Sequence, residues 1–206
     1  MNRRIRWLIG LLLIGSGILF LTSPIWKNAI ASSTSEYVVE QMKFQEESEF
    51  DPSYDFKAVS PLSVSDVLQA RNRFHNLPTI GVISIPDVSL KLPIMKGLDN
   101  ESLAVGAGTM HPEQEMGKGN YALAGHYLQR ATALFGPLHE IEIGATIYLQ
   151  DEVQTYEYVV TSLETVSPER VDVLDDTSTP TITLITCTFD TTERLIVKGK
   201  LVAPSS

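Results

Sequence analysis

The residue types that carry nucleophilic and acid–base chemistry are scarce in this chain, which has one cysteine and four histidines among 206 residues. Cys187 follows the β-branched apolar run ITLIT and precedes a polar loop. The end of a strand holds a side chain rigidly and leaves it accessible. A thiol becomes an effective nucleophile near neutral pH when a base or a cation lies beside it. A lone cysteine in such a run also fits an inert core residue, and the run alone leaves both interpretations open.

Two further residues could supply that base and that cation. His126 ends the short apolar run YALAG, and Gly125 before it permits close approach of another part of the chain. It is the best candidate acid or base for Cys187, although a structural histidine fits the same context. Arg194 follows Cys187 after seven positions and opens the apolar run RLIVKG. A hairpin would return it beside the thiol, where a fixed cation lowers a thiol pKa or stabilises an acyl intermediate. An arginine at a strand start is otherwise a solvated edge residue.

The remaining histidines and the overall composition exclude several other classes of site. His75, His111 and His139 lie in polar or loop contexts and are expected at the surface, with His139 in a turn-like segment as the nearest rival to His126. One cysteine excludes an intramolecular disulfide and a cysteine-cluster zinc site. The net charge of −9 argues against a nucleic-acid partner, because phosphate binding needs a basic face.

The elements that must position these residues are predicted to be short strands. Runs rich in β-branched residues alternate with Gly, Pro, Asp and Asn signals from Thr79 onward. Only short helices are predicted between them, near Asn100–Leu103 and Thr132–Leu138, with a longer helix before them at Ser63–Phe74 that Ser63 or Ser65 caps. This pattern favours an all-β, mostly antiparallel barrel or sandwich. The predicted strands are Gly81–Ile85, Val88–Met95, Tyr121–Gly125, Thr146–Leu149, Gln154–Thr165, Thr181–Thr186 and Arg194–Val202.

The N-terminal part reads as a leader that exports the rest. Trp7–Trp26 holds 20 residues without a charge, and about 20 apolar residues cross a hydrocarbon core. Arginines lie before this segment and only Lys27 follows it closely, which predicts a single-pass anchor with a cytoplasmic N-terminus and an extracellular catalytic domain. A cleaved signal peptide ending near Ala29–Ala31 is the alternative. The predicted division is a cytoplasmic N-terminus at 1–6, a transmembrane anchor at 7–26, an extracellular linker at 27–60 and a catalytic domain at 61–206.

Taken together, the motifs resemble the class A sortases, membrane-anchored cysteine transpeptidases of Gram-positive bacteria, in a streptococcal-like form. The resemblance runs from about Phe50 to Val202 and includes IGVISIPDVSLKLPIMKG, NYALAGH, LFGPLHEIEIGATIYL and TLITCTFDTTERLIVKGKL. The order of histidine, cysteine and arginine matches the family. The set is highly specific, although each motif alone is weak.

The resemblance implies an eight-stranded β-barrel with Cys187 and Arg194 on neighbouring strands. It implies that Cys187 attacks the Thr carbonyl of an LPxTG sorting signal on a surface protein and leaves a thioacyl-enzyme. His126 would protonate the leaving amine, and Arg194 would bind the substrate backbone or the oxyanion. The amino group of a lipid-linked peptidoglycan precursor would then accept the acyl group.

The same resemblance implies a substrate groove and, in some members, a calcium site. The implied groove residues are Thr186, Ala124, Met110, Val171, Val173 and Leu174. No cofactor is required, but some members bind an activating calcium ion between two loops. Glu113, Glu115 and Asp176 are the candidate ligands here, because calcium takes oxygen ligands. They do not align residue for residue with the family's carboxylates.

Three alternatives accompany this interpretation. A pilus-polymerising class C sortase is the nearest within the family, since Asp51–Tyr54 faintly resembles the lid motif of that class, although Ser53 interrupts the motif. A secreted cysteine hydrolase would use the same residues with water in place of the amine. A non-enzymatic wall-associated barrel would bury Cys187 as a slow, inert thiol.

Overall fold

Eight strands form the domain that carries the candidate residues. A computed structural model describes residues 3–21, 33–35, 37–41, 52–73, 76–77, 79–128 and 133–205. The strands are β1 Thr79–Ile85, β2 Leu90–Met95, β3 Ala107–Thr109, β4 Asn120–Ala124, β5 Thr146–Gln150, β6 Thr155–Val166, β7 Thr181–Cys187 and β8 Arg194–Ser205.

The strands close into a barrel in the order β1-β2-β3-β4-β7-β8-β6-β5, and β5 pairs with β1 to complete it. The β2–β3 and β4–β7 pairs are parallel, and the other pairs are antiparallel. The prediction of a mostly antiparallel barrel or sandwich is confirmed as a barrel. Closure removes the unpaired strand edges that an open sheet would expose.

The main core fills the barrel interior, and the sequence alternation decides which residues enter it. Successive side chains of a strand point to opposite faces. On β7 the main core takes Ile182 and Leu184, and on β4 it takes Tyr121 and Leu123. Thr183, Ile185 and Cys187 therefore belong to the outer face of β7.

The α-helices of the described residues include α1 Arg3–Leu21, α2 Val64–Arg73 and α3 Asn100–Leu103. Ser63 caps α2, since its Oγ accepts a hydrogen bond from Asp66 N (3.2 Å) while Asp66 Oδ2 accepts one from Ser63 N (2.9 Å). Short 3-10 helices lie at Phe56–Ala58, Pro86–Val88, Gly136–Glu140 and Asp172–Leu174. Residues 33–35 and 37–41 are helical within the predicted linker, and Val38 is fully buried in the main core.

Local structure differs from the sequence-based expectation at three places. Pro86–Val88 forms a 3-10 helix and Ser89 has a φ of 52°, so β2 begins at Leu90 rather than Val88. The three-residue strand β3 was not predicted, because Ala107–Thr109 is too short to show alternation. The helix expected near Thr132–Leu138 is a 3-10 helix at Gly136–Glu140, with Pro137 in its first turn, and residues 129–132 lie outside the described part.

The predicted membrane anchor overlaps α1, which ends at Leu21. In the part of the chain that the structure describes, no helix has the length and apolar character that a membrane span needs. The last residues of the predicted anchor, the alternative cleavage site at Ala29–Ala31 and Asp51 of the lid-like motif lie outside the described residues.

Candidate active site

Cys187 and Arg194 are cross-strand partners at the end of the β7–β8 ladder. The next pair outward is Thr188 and Glu193, in which Thr188 N donates to Glu193 O at 3.1 Å. Hydrogen-bonded and non-hydrogen-bonded pairs alternate along an antiparallel ladder, so Cys187 and Arg194 form a non-hydrogen-bonded pair. Side chains stand closest in such pairs, which places the guanidinium-bearing side chain beside the thiol-bearing one.

The parallel pairing of β4 with β7 brings His126 to the same end of the barrel. Ala124 is the partner of Ile185, and Gly125 N donates to Ile185 O at 3.1 Å. His126 follows directly and is half-buried. Gly125 is required here because a Cβ at this position would lie 2.7 Å from the Phe135 ring. The close approach expected at this glycine is therefore made by Phe135.

The strand alternation puts the side chains of Cys187 and Arg194 outside the main core. Ala124, two residues before His126, packs in an outer cluster, and so does Ile185, two residues before Cys187. Ile196, two residues after Arg194, packs with Ile185. Because residues two apart on a strand share a face, the nucleophile candidate and the cation candidate lie on one outer surface.

The side chain of Arg194 is fixed by its own loop. Its Nη1 donates to Thr191 O (3.3 Å) and to Glu193 O (3.0 Å). Its Nε is buried and has no hydrogen-bond partner among the described residues. The guanidinium carbon lies 5.6 Å from the centre of the Phe56 ring. A planar donor held in this way still has an N–H to offer to a bound carbonyl oxygen.

Hydrogen bonds inside the β7–β8 connection keep the hairpin tight. Thr188 Oγ1 donates to Asp190 Oδ1 at 2.7 Å, and Thr192 N donates to the same oxygen at 3.2 Å. The bond from the Thr188 hydroxyl, followed by those from Thr192, holds the pKa of Asp190 below its usual value. The loop therefore returns the chain directly from the thiol to the arginine.

Two apolar clusters flank this surface and meet at Met110. One contains Val166, Val173, Ile185 and Ile196 with Met110 and Leu174 packed against it. The other contains Leu98, Leu103 and Ala124 with Phe56, Val59 and Met110 against it. The arrangement brings together four of the predicted groove residues, which are Met110, Ala124, Val173 and Leu174.

The other two predicted groove residues are placed differently. Val171 is 71% exposed and belongs to neither cluster. Thr186 is 2% exposed, and the alternation puts it on the inward face with Leu184. Its Oγ1 is buried without a hydrogen-bond partner in the described structure. A role for either residue in substrate binding stays a prediction.

Phe56 lies beside the predicted groove residues, and the sequence pattern did not single it out. Its ring packs against the cluster of Leu98, Leu103 and Ala124, and it lies over the Arg194 guanidinium. The segment before it is tied to the barrel, since Leu98 N donates to Ser53 O at 2.7 Å and Ser53 N donates to Asp99 Oδ2 at 3.1 Å. The available signal was the lid-like motif beside it, which was assigned to the linker.

The three candidate calcium ligands line one surface cleft of about 420 Å³. Glu115 forms an ion pair with Lys118, and this pairing raises the pKa of Lys118. Asp176 Oδ1 accepts hydrogen bonds from Asn120 N (3.0 Å) and Thr177 N (2.8 Å). Over the described ranges, no three His, Cys, Asp or Glu side chains are grouped closely enough to hold a metal ion. Calcium binding at Glu113, Glu115 and Asp176 stays a prediction.

Of the other three histidines, His111 and His139 are at the surface as predicted, but His139 also makes a contact that was not predicted. His111 is exposed, and its Nδ1 accepts a hydrogen bond from Glu113 N at 3.3 Å, while His75 lies outside the described residues. His139 is exposed too, but its Nε2 lies 3.1 Å from the carbonyl oxygen of Cys187. The turn-like setting of His139 gave no indication of this contact, which depends on the packing of two segments 48 residues apart.

The family-model match accords with this geometry: the Sortase domain model covers residues 83–202. The chain belongs to the sortase family. Sortase A of Streptococcus agalactiae is 41% identical over 208 residues, which cover 96% of this chain and 84% of that protein. Sortase A of Listeria monocytogenes is 36% identical over 199 residues, covering 94% and 90%.

Solved structures give the same result for this sortase. The structure of Listeria monocytogenes sortase A matches with a TM-score of 0.60 and 40% identity, covering 62% of this chain and 91% of that one. Sortase C1 of Streptococcus agalactiae matches with a TM-score of 0.55 and 28% identity, covering 62% and 69%. The resemblance to the class A sortases is confirmed, and this sortase is a cysteine transpeptidase. The non-enzymatic alternative is thereby excluded.

Proposed function

We propose that this sortase cleaves LPxTG-type sorting signals between Thr and Gly and transfers the new Thr carboxyl end to an amine of a lipid-linked cell-wall precursor. The observation that carries the proposal is the Cys187–Arg194 pair at the end of the β7–β8 ladder, with His126 at the neighbouring end of β4. The relatives named sortase A support the class of reaction.

Cys187, His126 and Arg194 carry the acylation step. The thiol proton of Cys187 passes to His126, and the sulfur attacks the Thr carbonyl carbon. Arg194 offers its unused buried N–H to the carbonyl oxygen as negative charge develops there. The Thr–Gly bond then breaks, and His126 returns the proton to the leaving amine. A thioester between Cys187 and the Thr acyl group remains.

In the second step His126 acts first as a base rather than as an acid toward the amine. An incoming primary amine attacks the thioester carbonyl, and His126 takes a proton from it. The C–S bond breaks, His126 returns that proton to the sulfur of Cys187, and an amide bond joins the Thr to the acceptor. Transfer rather than hydrolysis requires that the amine reaches the thioester more readily than water does.

The apolar clusters beside the thiol supply the binding surface for the signal. Met110, Ala124, Val173 and Leu174 offer a mostly apolar wall next to Cys187, which suits the Leu-Pro part of the motif. Thr186 and Val171 are retained as predicted contacts. A calcium ion at the cleft of Glu113, Glu115 and Asp176 would act on the loops that border this wall.

The setting of the reaction is the outer face of the cell membrane. We infer that residues 7–26 anchor the chain in a single pass, with residues 1–6 in the cytoplasm and the barrel outside. The charge-free run between Trp7 and Trp26 and the three preceding arginines support this placement. Surface proteins with a sorting signal and the lipid-linked precursor are then both within reach.

Mass spectrometry of the purified full-length chain with an LPxTG peptide and an amine, such as oligoglycine or an alanyl peptide, tests the proposal. The expected product is the peptide cut after Thr and joined to the amine. The matched Cys187→Ala variant should form neither this product nor a thioacyl adduct. Ligation that persists in Cys187→Ala would refute the assignment of the nucleophile.

The same experiment distinguishes a transpeptidase from a hydrolase that uses the same residues. Cleavage after Thr that yields only the free acid with each amine tested, including a cell-wall precursor fragment, would establish a hydrolase. An absence of cleavage both with and without added calcium would refute the LPxTG assignment. A cleavage rate that rises with added calcium in the wild-type enzyme, and no longer rises in Asp176→Asn, would support the metal site.

A further inference from the structure

The carbonyl group of the candidate nucleophile is exposed by the way the ladders end. Cys187 and Arg194 form a non-hydrogen-bonded pair, so the Cys187 carbonyl points away from β8. On its other side, β4 pairs with β7 only as far as Ala124 and Ile185. The Cys187 carbonyl therefore lies beyond both ladders and needs another donor, because a backbone carbonyl seldom lacks a partner.

His139 supplies that donor from the segment that joins β4 to β5. Its Nε2 lies 3.1 Å from Cys187 O. A carbonyl oxygen only accepts, so Nε2 must carry the hydrogen in this contact. The imidazole is carried by the 3-10 helix Gly136–Glu140, whose residues Gly136, Pro137 and Leu138 are buried. An exposed ring on a buried turn is thus aimed at the backbone of the thiol.

The same ring is also linked to the backbone beside His126. Tyr127 follows His126, and the centres of the Tyr127 and His139 rings are 4.6 Å apart at an interplanar angle of 57°. Phe135, four residues before His139, donates its N–H to His126 O at 3.1 Å. Tilted ring pairs at this separation are favourable. His139 therefore contacts the thiol-bearing strand at Cys187 and the segment after β4 at Tyr127.

We propose that His139 is a positioning residue that fixes Cys187 relative to His126 by holding the Cys187 carbonyl and packing its tilted ring against Tyr127. The proposal rests on the proposed function, in which His126 and the thiol must exchange a proton. His139 does not touch the substrate or the thiol; it acts through the main chain of Cys187. Reactions of this kind are sensitive to small displacements of the reacting groups.

Four variants of the full chain distinguish the effect of the His139 N–H donor from the effect of its ring contact with Tyr127. His139→Phe keeps a ring against Tyr127 and removes the N–H. His139→Gln restores an N–H at about the reach of Nε2, whereas the matched control His139→Asn places it at the reach of Nδ1. Tyr127→Ala removes the ring that packs against His139 and leaves the His139 N–H donor in place. Turnover of the LPxTG peptide gives kcat and KM, iodoacetamide gives the alkylation rate of Cys187, and thermal unfolding gives Tm.

A neutral hydrogen bond contributes about 0.5–1.5 kcal/mol, which corresponds to roughly 2- to 12-fold in a rate. The expected result is a fall of that size in kcat for His139→Phe and His139→Asn, with KM within about twofold by the same reasoning. His139→Gln should return kcat to near the wild-type value, and Tyr127→Ala should show a smaller fall in kcat. The alkylation rate should follow kcat in all four variants.

Several outcomes would overturn the proposal. One is a His139→Phe enzyme with unchanged kcat and alkylation rate. Another is an equal loss of kcat in His139→Gln and His139→Phe. A third is a lower Tm with an unchanged kcat per titrated thiol, which would indicate a purely structural role for His139. Because alkylation needs no peptide, it tests the positioning of Cys187 even if the wild-type enzyme ligates no LPxTG peptide. Failure of the proposed function is then distinct from failure of this inference.

Discussion

Replacing Arg194 by lysine tests the part of the mechanism that depends most on side-chain shape. The change keeps the positive charge beside Cys187 and removes the planar fork. In the structure, Nη1 is already used by Thr191 O and Glu193 O, which leaves the N–H groups of Nε and Nη2 in a planar arrangement that a lysine cannot reproduce. A lysine ammonium would be drawn to the same loop carbonyls.

The magnitude follows from the loss of one charged donor in the transition state. A hydrogen bond that involves a charged group contributes about 1.5–3 kcal/mol. At 1.36 kcal/mol per factor of ten, the expected loss in kcat/KM is roughly 10- to 150-fold. The alkylation rate of Cys187 should change little in Arg194→Lys, since the charge remains, and should fall in Arg194→Gln, where the charge is gone.

The assay is turnover of an LPxTG peptide with an amine, with alkylation of Cys187 measured on the same protein samples. Arg73→Lys is the matched control, because Arg73 forms an exposed ion pair with Glu101 at 3.3 Å and such pairs contribute little. A fully active Arg194→Lys enzyme would refute the role of Arg194 in binding the oxyanion or the substrate backbone. A large loss in Arg73→Lys would show that the effect is not specific to the site.

Three further predictions concern the base, the groove and the core. His126→Ala should reduce ligation nearly as severely as Cys187→Ala, measured as product formed per mole of folded enzyme, and a general-base contribution of about 10²- to 10⁴-fold sets the size of the loss. Ligation at the wild-type rate in His126→Ala would assign proton transfer to another group. Phe56→Ala should lower KM by roughly two- to fivefold, because a peptide in the groove must displace a ring whose cation–π contact contributes about 0.5–1 kcal/mol; a higher KM would make the ring part of the binding wall. Burial raises the pKa of Tyr158 to about 12 from 10.0, so its contribution to stability is full below pH 10 and is lost as pH rises toward 12. Denaturant midpoints between those pH values should fall less steeply in Tyr158→Phe, and an unchanged slope would contradict this.

Much of the fold was predictable because its strands carry strong local signals. The β-branched run before Cys187 predicts the C-terminal end of β7 to within one residue. The alternating run after Arg194 predicts the C-terminal end of β8 to within three residues. The strand β3 was not predictable, since three residues show no period and their pairing with β2 is parallel and non-local. The 3-10 helix at Gly136–Glu140 was expected as an ordinary short helix somewhat earlier in the chain.

The candidate site was predicted as a set of residue types and not as a set of contacts. Cys187, His126 and Arg194 could be selected as candidates because cysteine and histidine are rare in this chain and because the spacing fits a hairpin. Phe56 and His139 were not identifiable in the same way. An aromatic residue in a linker and a histidine in a turn are common, and only packing shows which of them faces a reacting group.

The sequence by itself determined the strand alternation and the candidates for the nucleophile, the base and the cation, because these depend on residue type and short-range spacing. The tertiary structure decided which strands pair in parallel, and this pairing places His126, just after β4, and Cys187, at the end of β7, at one end of the barrel. It also decided that Phe56 covers Arg194 and that His139 holds the Cys187 carbonyl. Such contacts join segments far apart in the chain. Their free energy depends on how the whole barrel closes, which no local pattern of residues encodes.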